Sequence, residues 1–336
     1  MIIKSVSYPR AALIGNPSDG YFGKTIAFLF KNFRAEVILY ESPELELMPA
    51  EFDSSVFPSM SSLVKNVSLF GYYGGIRLLK ATIKRFSEYC VDNGIKLEEK
   101  NFTIKYCSDI PFRLGLAGSS AIITASMRAL MQFYGVEIPR PKLANLVLSV
   151  ETGELNISAG LQDRVAQAYE TPVYMNFEES IMKRQGYGIY KDIPAKTFPG
   201  LYIAYKRDLS EGSEVVHYSF RERYNIREKA VIEAIEKWKK LSDQTYEALL
   251  KEDKERIGQL MNENFDIRRS VINISESNLQ MIDTARKTGA SAKFTGSGGA
   301  IIGTYPDASS LEELKVRLGE MGVDVIIPKI VSEQTN

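Results

Sequence analysis

The sequence predicts an α+β protein of two lobes. Its 336 residues are more than twice the roughly 150 residues of a typical domain, so the length favours about two domains. Strand-like and helix-like segments mix without the regular alternation that a doubly wound parallel sheet requires. Residues 222–287 are almost entirely helical in pattern, which sets the latter half apart. Together these observations favour two α+β lobes over one parallel sheet.

Hydrophobic periodicity predicts the first elements. A loosely alternating run at residues 6–15 predicts one strand, which ends in a turn at residues 15–17. A Gly- and Ser-rich loop follows, and a second extended run begins at Ala35. Apolar residues then recur at steps of three and four along one helix face, at Ile76, Leu79, Ile83, Phe86 and Cys90.

The middle of the chain has the clearest signals. The alternating segment 102–107 predicts a strand, and a Gly-rich loop at residues 115–120 opens directly into a helix over residues 121–135. A further helix is predicted over residues 142–154 and a strand over residues 172–177.

In the second half, a strand at residues 200–205 precedes the helical run, whose Asn and Ser residues predict interruptions near 262 and 273. Residues 292–305 predict a strand, a Gly-rich turn and a second strand. A helix to Met321 and a final strand complete the predicted order.

Composition excludes several classes of protein. Lys plus Arg number 42 and Asp plus Glu number 42, so no net charge attracts nucleic acid or anionic lipid. A single histidine and two cysteines exclude a Cys/His zinc cage and a disulfide scaffold. The sequence lacks the run of roughly 18 apolar residues that a membrane helix requires. We therefore expect a cytoplasmic protein without nucleic-acid or membrane partners, whose oligomeric state stays open.

The first candidate site is a loop between a predicted strand and a predicted helix. It consists of Gly115, Leu116, Ala117, Gly118, Ser119 and Ser120. Backbone N–H groups and the dipole of the following helix can converge there on an anion such as a nucleotide phosphate. The same residues also fit a plain capped helix behind a tight turn, so the loop alone leaves both interpretations open.

Two other Gly-containing segments carry weaker signals. Gly23, Lys24 and Thr25 have the ending of a Walker A loop, but Ser18 stands where its first glycine should be, so that pattern fails. We expect Lys24 to be a solvated lysine at a helix start, or else to meet an anion. Residues 295–299 form either a second phosphate cradle or an ordinary Gly-rich hairpin.

Carboxylates are the main acid–base candidates, because the one histidine, His217, is expected to be a partly exposed strand residue. Glu151 lies at the end of one predicted helix and Asp163 at the start of another. Their separation, 163 − 151 = 12 residues, allows a loop to bring both beside one Mg²⁺–nucleotide complex. Asp163, beside Arg164, also fits an ordinary helix-start carboxylate.

Over nearly the whole chain, these motifs resemble the GHMP small-molecule kinases. The family's middle motif, Pro-x-x-x-Gly-Leu-x-x-Ser-Ser-Ala, is matched at residues 111–121. The first motif of its sugar kinases is an arginine followed by Leu-Ile-Gly and Glu-His-x-Asp. It is matched by Arg10, residues 13–15 and Asp19, but Asn and Pro replace the Glu-His pair at residues 16–17.

The resemblance implies a two-lobed GHMP kinase fold with the active site between the lobes. It implies an N-terminal domain over residues 1–190, which contains the phosphate loop and the carboxylates. A C-terminal domain over residues 191–336 would contain the helical run and residues 295–299, which resemble the family's third motif. The family also implies ATP as the phosphoryl donor and Mg²⁺ as the metal.

Carried over by position, the resemblance implies a role for each site residue. The loop at residues 115–120 would wrap the triphosphate, while Ser120 and Glu151 would hold Mg²⁺. Asp163 matches the catalytic aspartate. Arg10 matches the arginine that stabilises this aspartate and the developing phosphoryl charge, and Asp19 falls where sugar kinases bind substrate hydroxyls.

The resemblance, at residues 16–28, 71–79 and 159–170, implies ATP-dependent phosphorylation of the anomeric hydroxyl of D-glucuronate, a sugar acid. Asn16 in place of a glutamate removes a like charge near the uronate carboxylate, although it also fits a role in the fold. The candidates for binding the uronate group are Arg164, Arg77 and Lys24. The candidates for packing against the sugar ring are Tyr21, Tyr72 and Tyr73, which alternatively are buried tyrosines of the core. The alternative functions are a GHMP kinase for galacturonate, a heptose, arabinose or galactose, and a GHMP-fold sensor without turnover.

Overall fold

The computed structural model describes residues 1–50, 53, 56–70, 74–206 and 220–332, apart from the side chains of residues 65 and 68–70. These residues divide between two compact units, each assembled from separate stretches of chain. Unit 1 comprises Met1–Pro9, Phe33–Phe112 and Ala117–Ala168, and unit 2 comprises Arg10–Asn32, Arg113–Leu116 and Tyr169–Asn336.

Strands and helices occur in both units, as an α+β fold requires. Within the described residues, the strands are Ile2–Ser7 (β1), Arg10–Ile14 (β2), Lys24–Leu29 (β3), Ala35–Glu41 (β4), Glu46–Met48 (β5), Phe102–Ser108 (β6), Val173–Asn176 (β7), Ile189–Asp192 (β8), Leu201–Lys206 (β9), Lys293–Phe294 (β10), Ala300–Thr304 (β11) and Val323–Ile326 (β12). The helices there are Met60–Phe70 (α1), Ile76–Asp92 (α2), Gly118–Tyr134 (α3), Arg140–Ser149 (α4), Gln162–Tyr169 (α5), Glu179–Gln185 (α6), Lys229–Leu250 (α7), Lys254–Val271 (α8), Glu276–Arg286 (α9) and Ala308–Gly319 (α10).

Unit 1 is built on one four-stranded sheet in the order β1-β4-β6-β5. Helix α3 packs on β1 and β4, and α2 packs on α3. Ile123, Met127 and Leu130 recur along one side of α3 and are fully buried. The helix predicted from the apolar spacing at 76–90 is confirmed as α2. The unit's core therefore fixes the direction of α3, whose first turn contains Gly118, Ser119 and Ser120 of the phosphate-loop candidates.

Unit 2 contains two four-stranded sheets, in the orders β2-β3-β7-β8 and β10-β11-β9-β12. Helix α7 packs on β2 and β3, and α8 packs on β2, β10 and β11. The indole of Trp238 in α7 is fully buried and donates a hydrogen bond to the carbonyl of Asn264 in α8, at 3.1 Å. This packing brings the first strand of the unit to the Gly-rich turn between β10 and β11.

The single strand predicted over residues 6–15 is wrong. The structure has two strands there, β1 in the sheet of unit 1 and β2 in a sheet of unit 2. Pro9 stands between them. Because proline has no N–H to donate and a fixed φ, it is disfavoured within a continuous strand.

The helix start expected at Lys24 is also wrong, and the sequence analysis missed the strand that begins there. Lys24 begins strand β3, which pairs antiparallel with β2 and β7. The Lys24 ammonium group lies 2.7 Å from a carboxylate oxygen of Asp243 in α7. The charge is thus paired with a residue distant in sequence, which local patterns do not reveal.

The helical run over residues 222–287 is confirmed in the described part as α7, α8 and α9, and the break near 273 is confirmed as well. The break predicted near 262 is wrong, since Asn262 lies inside α8, where its side-chain oxygen accepts a hydrogen bond from the Ala292 amide at 2.9 Å. Two other breaks lie at residues 226–228 and 251–253, and at the second the Asp253 carboxylate caps α8 by accepting from the Arg256 amide.

No helix in the part of the chain that the structure describes is long and apolar enough to cross a membrane.

Candidate active site

The phosphate-loop candidates lead into the first turn of α3. Ala117 is the N-cap residue and has a left-handed backbone, with φ of 63°. The carbonyl oxygen of Ala117 accepts hydrogen bonds from the Ala121 amide and from the Ser120 hydroxyl, both at 3.1 Å. Among the described residues no side chain caps this helix, so the serines do not act as caps. Uncapped N–H groups at a helix start are suited to an anion.

Gly115 and Gly296 bring two Gly-rich segments of unit 2 into close contact. Gly115 has φ of +65°, and a Cβ there would lie 2.9 Å from the amide nitrogen of Ser297. A Cβ on Gly296 would lie 2.3 Å from the carbonyl oxygen of Gly115. Both positions therefore require glycine, the first for its conformation as well as its space.

Arg10, at the start of β2, connects these same two segments. Its amide donates to the Leu116 carbonyl at 3.0 Å, and its guanidinium Nη1 donates to the Thr295 carbonyl. The side chain is buried. These contacts give Arg10 a structural role within unit 2 and set the position of its guanidinium.

Glu151 and Asp163 meet at one guanidinium. Glu151 lies in the π-helical turn Val150–Glu154 and is 2% exposed, and Asp163 lies in the first turn of α5. Arg164 donates from Nε to Glu151 Oε2 at 2.7 Å, donates from Nη2 to the same oxygen, and donates from Nη1 to Asp163 Oδ2 at 3.0 Å. We call these three residues the carboxylate cluster. It carries two acidic groups for one basic group.

Burial dominates the electrostatics of Glu151. It raises the pKa of the Glu151 carboxyl, while the adjacent Arg164 guanidinium opposes that rise. Arg164 is itself buried and also donates to the Gly160 carbonyl at 3.0 Å. The guanidinium therefore orients both carboxylates and partly offsets the cost of burying Glu151.

Unit 2 contains a second buried group of charges, Arg10, Lys293 and Arg268, which we call the cation cluster. The Lys293 ammonium donates to the carbonyls of Ala12 and Phe294, each at 2.8 Å. Burial lowers the pKa of Lys293 well below its ordinary value, and the charges of Arg268 and Arg10 lower it further. The hydrogen bonds of the Lys293 ammonium are thus accepted by main-chain carbonyl groups.

Arg268 and Asn16 hold the turn between β10 and β11. Arg268 donates to the carbonyls of Gly296 and Ser297, each at 2.8 Å, and burial lowers its pKa to about 10. The Asn16 side-chain amide donates to the carbonyls of Phe294 and Gly296, each at 3.3 Å. Asn16, which replaces a Glu of the sugar-kinase motif, therefore serves the fold of this turn.

The predicted substrate residues lie in different surroundings. Asp19 and Tyr21 share the 3₁₀ turn Ser18–Tyr21, and the Tyr21 ring packs on Phe220 with centroids 5.0 Å apart. Burial raises the pKa of Tyr21. Arg77 is exposed near the start of α2. The remaining candidates, Tyr72, Tyr73 and His217, lie outside the described residues.

Sequence reasoning missed three buried polar residues, namely Lys293 and Arg268 of the cation cluster and Gln167 of α5. Lys293 and Arg268 carry no local mark of burial, because their carbonyl partners lie in strands β2 and β10 and in the turn after β10, and only the fold reveals these contacts. Gln167 was also missed, although it stands four residues after Asp163 on the same helix. That spacing places both on one face of α5 and could have identified it.

Comparisons with known proteins agree with this architecture. Residues 77–171 match the family model for the GHMP kinases N terminal domain, and residues 245–324 match the one for the GHMP kinases C terminal. A probable glucuronokinase 2 of Arabidopsis thaliana is 42% identical over 315 residues, which cover 92% of this chain and 86% of that protein. Glucuronokinase 1 of Arabidopsis thaliana is 40% identical over 318 residues, with 93% and 87% covered.

A solved structure matches over the whole fold. The phosphomevalonate kinase of Streptococcus pneumoniae superposes with a TM-score of 0.75 at 15% identity, and the match covers 98% of this chain and 100% of that one. At this identity the likeness concerns the fold alone.

Proposed function

Because the chain belongs to the GHMP kinase family, we propose that it transfers the γ-phosphoryl group of ATP to the anomeric hydroxyl of D-glucuronate. The products are glucuronate 1-phosphate and ADP. The observation that carries the choice of substrate is the similarity, over most of both chains, to two proteins named as glucuronokinases.

Asp163 is the proposed catalytic base. As the anomeric oxygen attacks the γ-phosphorus, the Asp163 carboxylate accepts the hydroxyl proton. The bond from the γ-phosphorus to the bridging oxygen breaks, and ADP leaves. Arg164 supports this assignment, since its Nη1 lies 3.0 Å from Asp163 Oδ2 and holds the carboxylate in place. Phosphoryl transfer depends mainly on alignment and electrostatics, so one well-placed carboxylate suffices.

Ser120 and Glu151 are the proposed protein ligands of Mg²⁺. Their hydroxyl and carboxylate oxygens are of the kind that Mg²⁺ prefers, and kinases commonly supply one or two carboxylates beside the substrate phosphates. The described residues contain no group of three or more His, Cys, Asp or Glu that could form a full protein cage. One hydroxyl and one carboxylate fit a metal that arrives with the nucleotide, whose phosphates supply further oxygen ligands. When bound, Mg²⁺ supplies charge neutralisation at the phosphates.

The residues at 115–120 are the proposed triphosphate cradle. The uncapped N–H groups of α3 favour anion binding there. Arg10 is proposed to stabilise the developing charge, and its fixed place between the Leu116 and Thr295 carbonyls supports a preorganised guanidinium.

The sugar-binding residues are proposed from the family resemblance. We retain Asp19, Tyr21, Tyr72 and Tyr73 for the hydroxyls and the ring. For Arg164, whose guanidinium contacts two carboxylates and a carbonyl, we propose that it orients the carboxylate cluster. Its contact with the uronate group stays a prediction, as do the cytoplasmic location, the absence of nucleic-acid and membrane partners and the 190/191 domain boundary.

A panel of sugars tests the choice of substrate. Purified enzyme with ATP and Mg²⁺ is assayed by coupled ADP detection on glucuronate, galacturonate, galactose, arabinose and a heptose. We expect kcat/KM for glucuronate to exceed that for galactose by at least about 100-fold, because a site built for a carboxylate leaves buried polar groups unpaired with a neutral sugar. Turnover of galactose without turnover of glucuronate would indicate another GHMP sugar kinase. Nucleotide binding without turnover of any sugar would indicate a sensor.

A further inference from the structure

Gln167 occupies the contact between the helix that carries Asp163 and the turn that begins α3. We infer that Gln167 is a positioning residue for phosphoryl transfer, which acts by holding the carbonyl oxygen of Ala117. The role of Gln167 in phosphoryl transfer rests on the proposed function, but the contacts from which we infer it lie wholly within unit 1.

The side-chain amide of Gln167 is fully buried and makes hydrogen bonds through both its nitrogen and its oxygen. Its Nε2 donates to the Ala117 carbonyl at 3.1 Å and to the Tyr8 carbonyl at 3.2 Å. Its Oε1 accepts from the Thr124 hydroxyl at 3.4 Å. The amide therefore connects α5 to the residue that follows β1 and to α3 at once.

Three hydrogen bonds meet at the Ala117 carbonyl, in the turn that begins α3. It accepts from the Ala121 amide, the Ser120 hydroxyl and Gln167 Nε2, each at 3.1 Å. Ala117 has a left-handed backbone, which a residue with a Cβ adopts only where its surroundings hold it. Without the bond from Gln167, this carbonyl is held less firmly, and the N–H groups of the following turn lose their common direction.

Gln167 also stands one helical turn after Asp163. In an α-helix, residues four apart lie on the same face and are joined by the rigid backbone between them. The path from Asp163 to the Ala117 carbonyl thus contains one helical turn and one hydrogen bond. Gln167 therefore sets the distance between the proposed base and the proposed triphosphate cradle, although it need touch neither substrate.

The test substitutes Gln167→Met, which keeps the volume but removes both donated hydrogen bonds. We expect kcat to fall by about tenfold to about 100-fold, because small misplacements of reacting groups have effects of that size. The dissociation constant of a non-hydrolysable ATP analogue should rise by about fivefold, the equivalent of one missing hydrogen bond. KM for the sugar should stay within about twofold of the wild-type value, because the bond from Gln167 to Ala117 supports the triphosphate cradle and not the sugar site.

Thr124→Val is the matched control, since it removes the hydrogen bond to Oε1 and leaves both donated bonds in place. Its kcat and its affinity for the analogue should equal those of the wild type. If Gln167→Met does not fold, Gln167→Asn replaces it, because the shorter amide cannot span the same distance; the same direction of change is then expected.

A purely structural role predicts a different result. The melting temperature would fall, but kcat and analogue affinity, measured well below that temperature, would stay at wild-type values, and the inference would be overturned. Binding of the ATP analogue needs no sugar, and kcat is measured on whichever sugar the wild type uses best. A wrong assignment of the sugar is therefore distinguishable from a wrong assignment of Gln167.

Discussion

The two buried clusters of charge are stabilised in opposite ways. In the carboxylate cluster, Glu151 and Asp163 share the guanidinium of Arg164, so opposite charges meet directly. In the cation cluster, Lys293 and Arg268 donate to main-chain carbonyls, and no carboxylate among the described residues lies within ion-pair distance of either. The first cluster joins acidic groups to a basic group, and the second holds basic groups on uncharged main-chain partners.

The two clusters thus represent two ways of stabilising charged groups in a protein interior. A shared guanidinium compensates the two carboxylates directly and holds them in fixed positions, which suits groups that must accept a proton or hold a cation. Carbonyl dipoles satisfy the hydrogen-bond donors of Lys293 and Arg268 without cancelling the charge of Arg268, so a positive field persists around the turn between β10 and β11. A substitution in each cluster tests this contrast.

The largest effect is expected in the carboxylate cluster. Asp163→Asn keeps the size of the side chain but removes the proton acceptor, so we expect kcat to fall by more than about 100-fold. Binding of a non-hydrolysable ATP analogue should persist. Coupled ADP detection measures kcat, and calorimetric titration measures binding.

Glu154→Gln is the control for this variant. Glu154 lies in the same turn as Glu151 but pairs with Lys84 at the surface, at 2.8 Å. It should keep wild-type turnover. Wild-type turnover in Asp163→Asn itself would remove Asp163 from the mechanism.

A smaller effect is expected in the cation cluster, on stability rather than on turnover. The pKa of Lys293 is lowered in the folded protein. At pH values between this lowered pKa and the ordinary value of 10.5, Lys293 is therefore protonated in the unfolded chain but not in the folded protein. Stability contributed by this site therefore rises with pH across that window, by at most about 1.4 kcal/mol per pH unit. We expect the slope of the free energy of unfolding against pH to be lower in Lys293→Met than in the wild type, measured by urea denaturation from about pH 7 to about pH 9.5.

Lys315→Met, which replaces a partly exposed lysine that pairs with Glu312, provides the comparison, and its slope should match the wild type. Equal slopes in the wild type and in Lys293→Met would mean that Lys293 titrates normally, and the contrast between the clusters would lose its basis.

The two clusters also differ in how far the sequence predicts them. Glu151 and Asp163 are predictable because they flank a short loop, and a separation of 163 − 151 = 12 residues limits how far apart they can lie. Their shared contact with Arg164 needed the structure. The loop at 115–120 is predictable for a similar reason, since a Gly-rich run before a helical pattern is a local signal.

The cation cluster and strand β3 are not predictable in this way. Lys24, Lys293 and Arg268 are charged residues that local rules place at the surface. Their partners, Asp243 for Lys24 and the carbonyls for the other two, are mostly far away in sequence. Long-range pairing of this kind overrides local preference, which is why the predicted solvated lysine at a helix start is wrong.

The most direct test of the central claim identifies the product. Enzyme, Mg-ATP and D-glucuronate are incubated together, and the products are followed by phosphorus NMR. The account predicts stoichiometric ADP and a new phosphate ester whose phosphorus couples to the anomeric proton of glucuronate. A phosphate ester at any other hydroxyl, or ADP formation that does not depend on glucuronate, would contradict it.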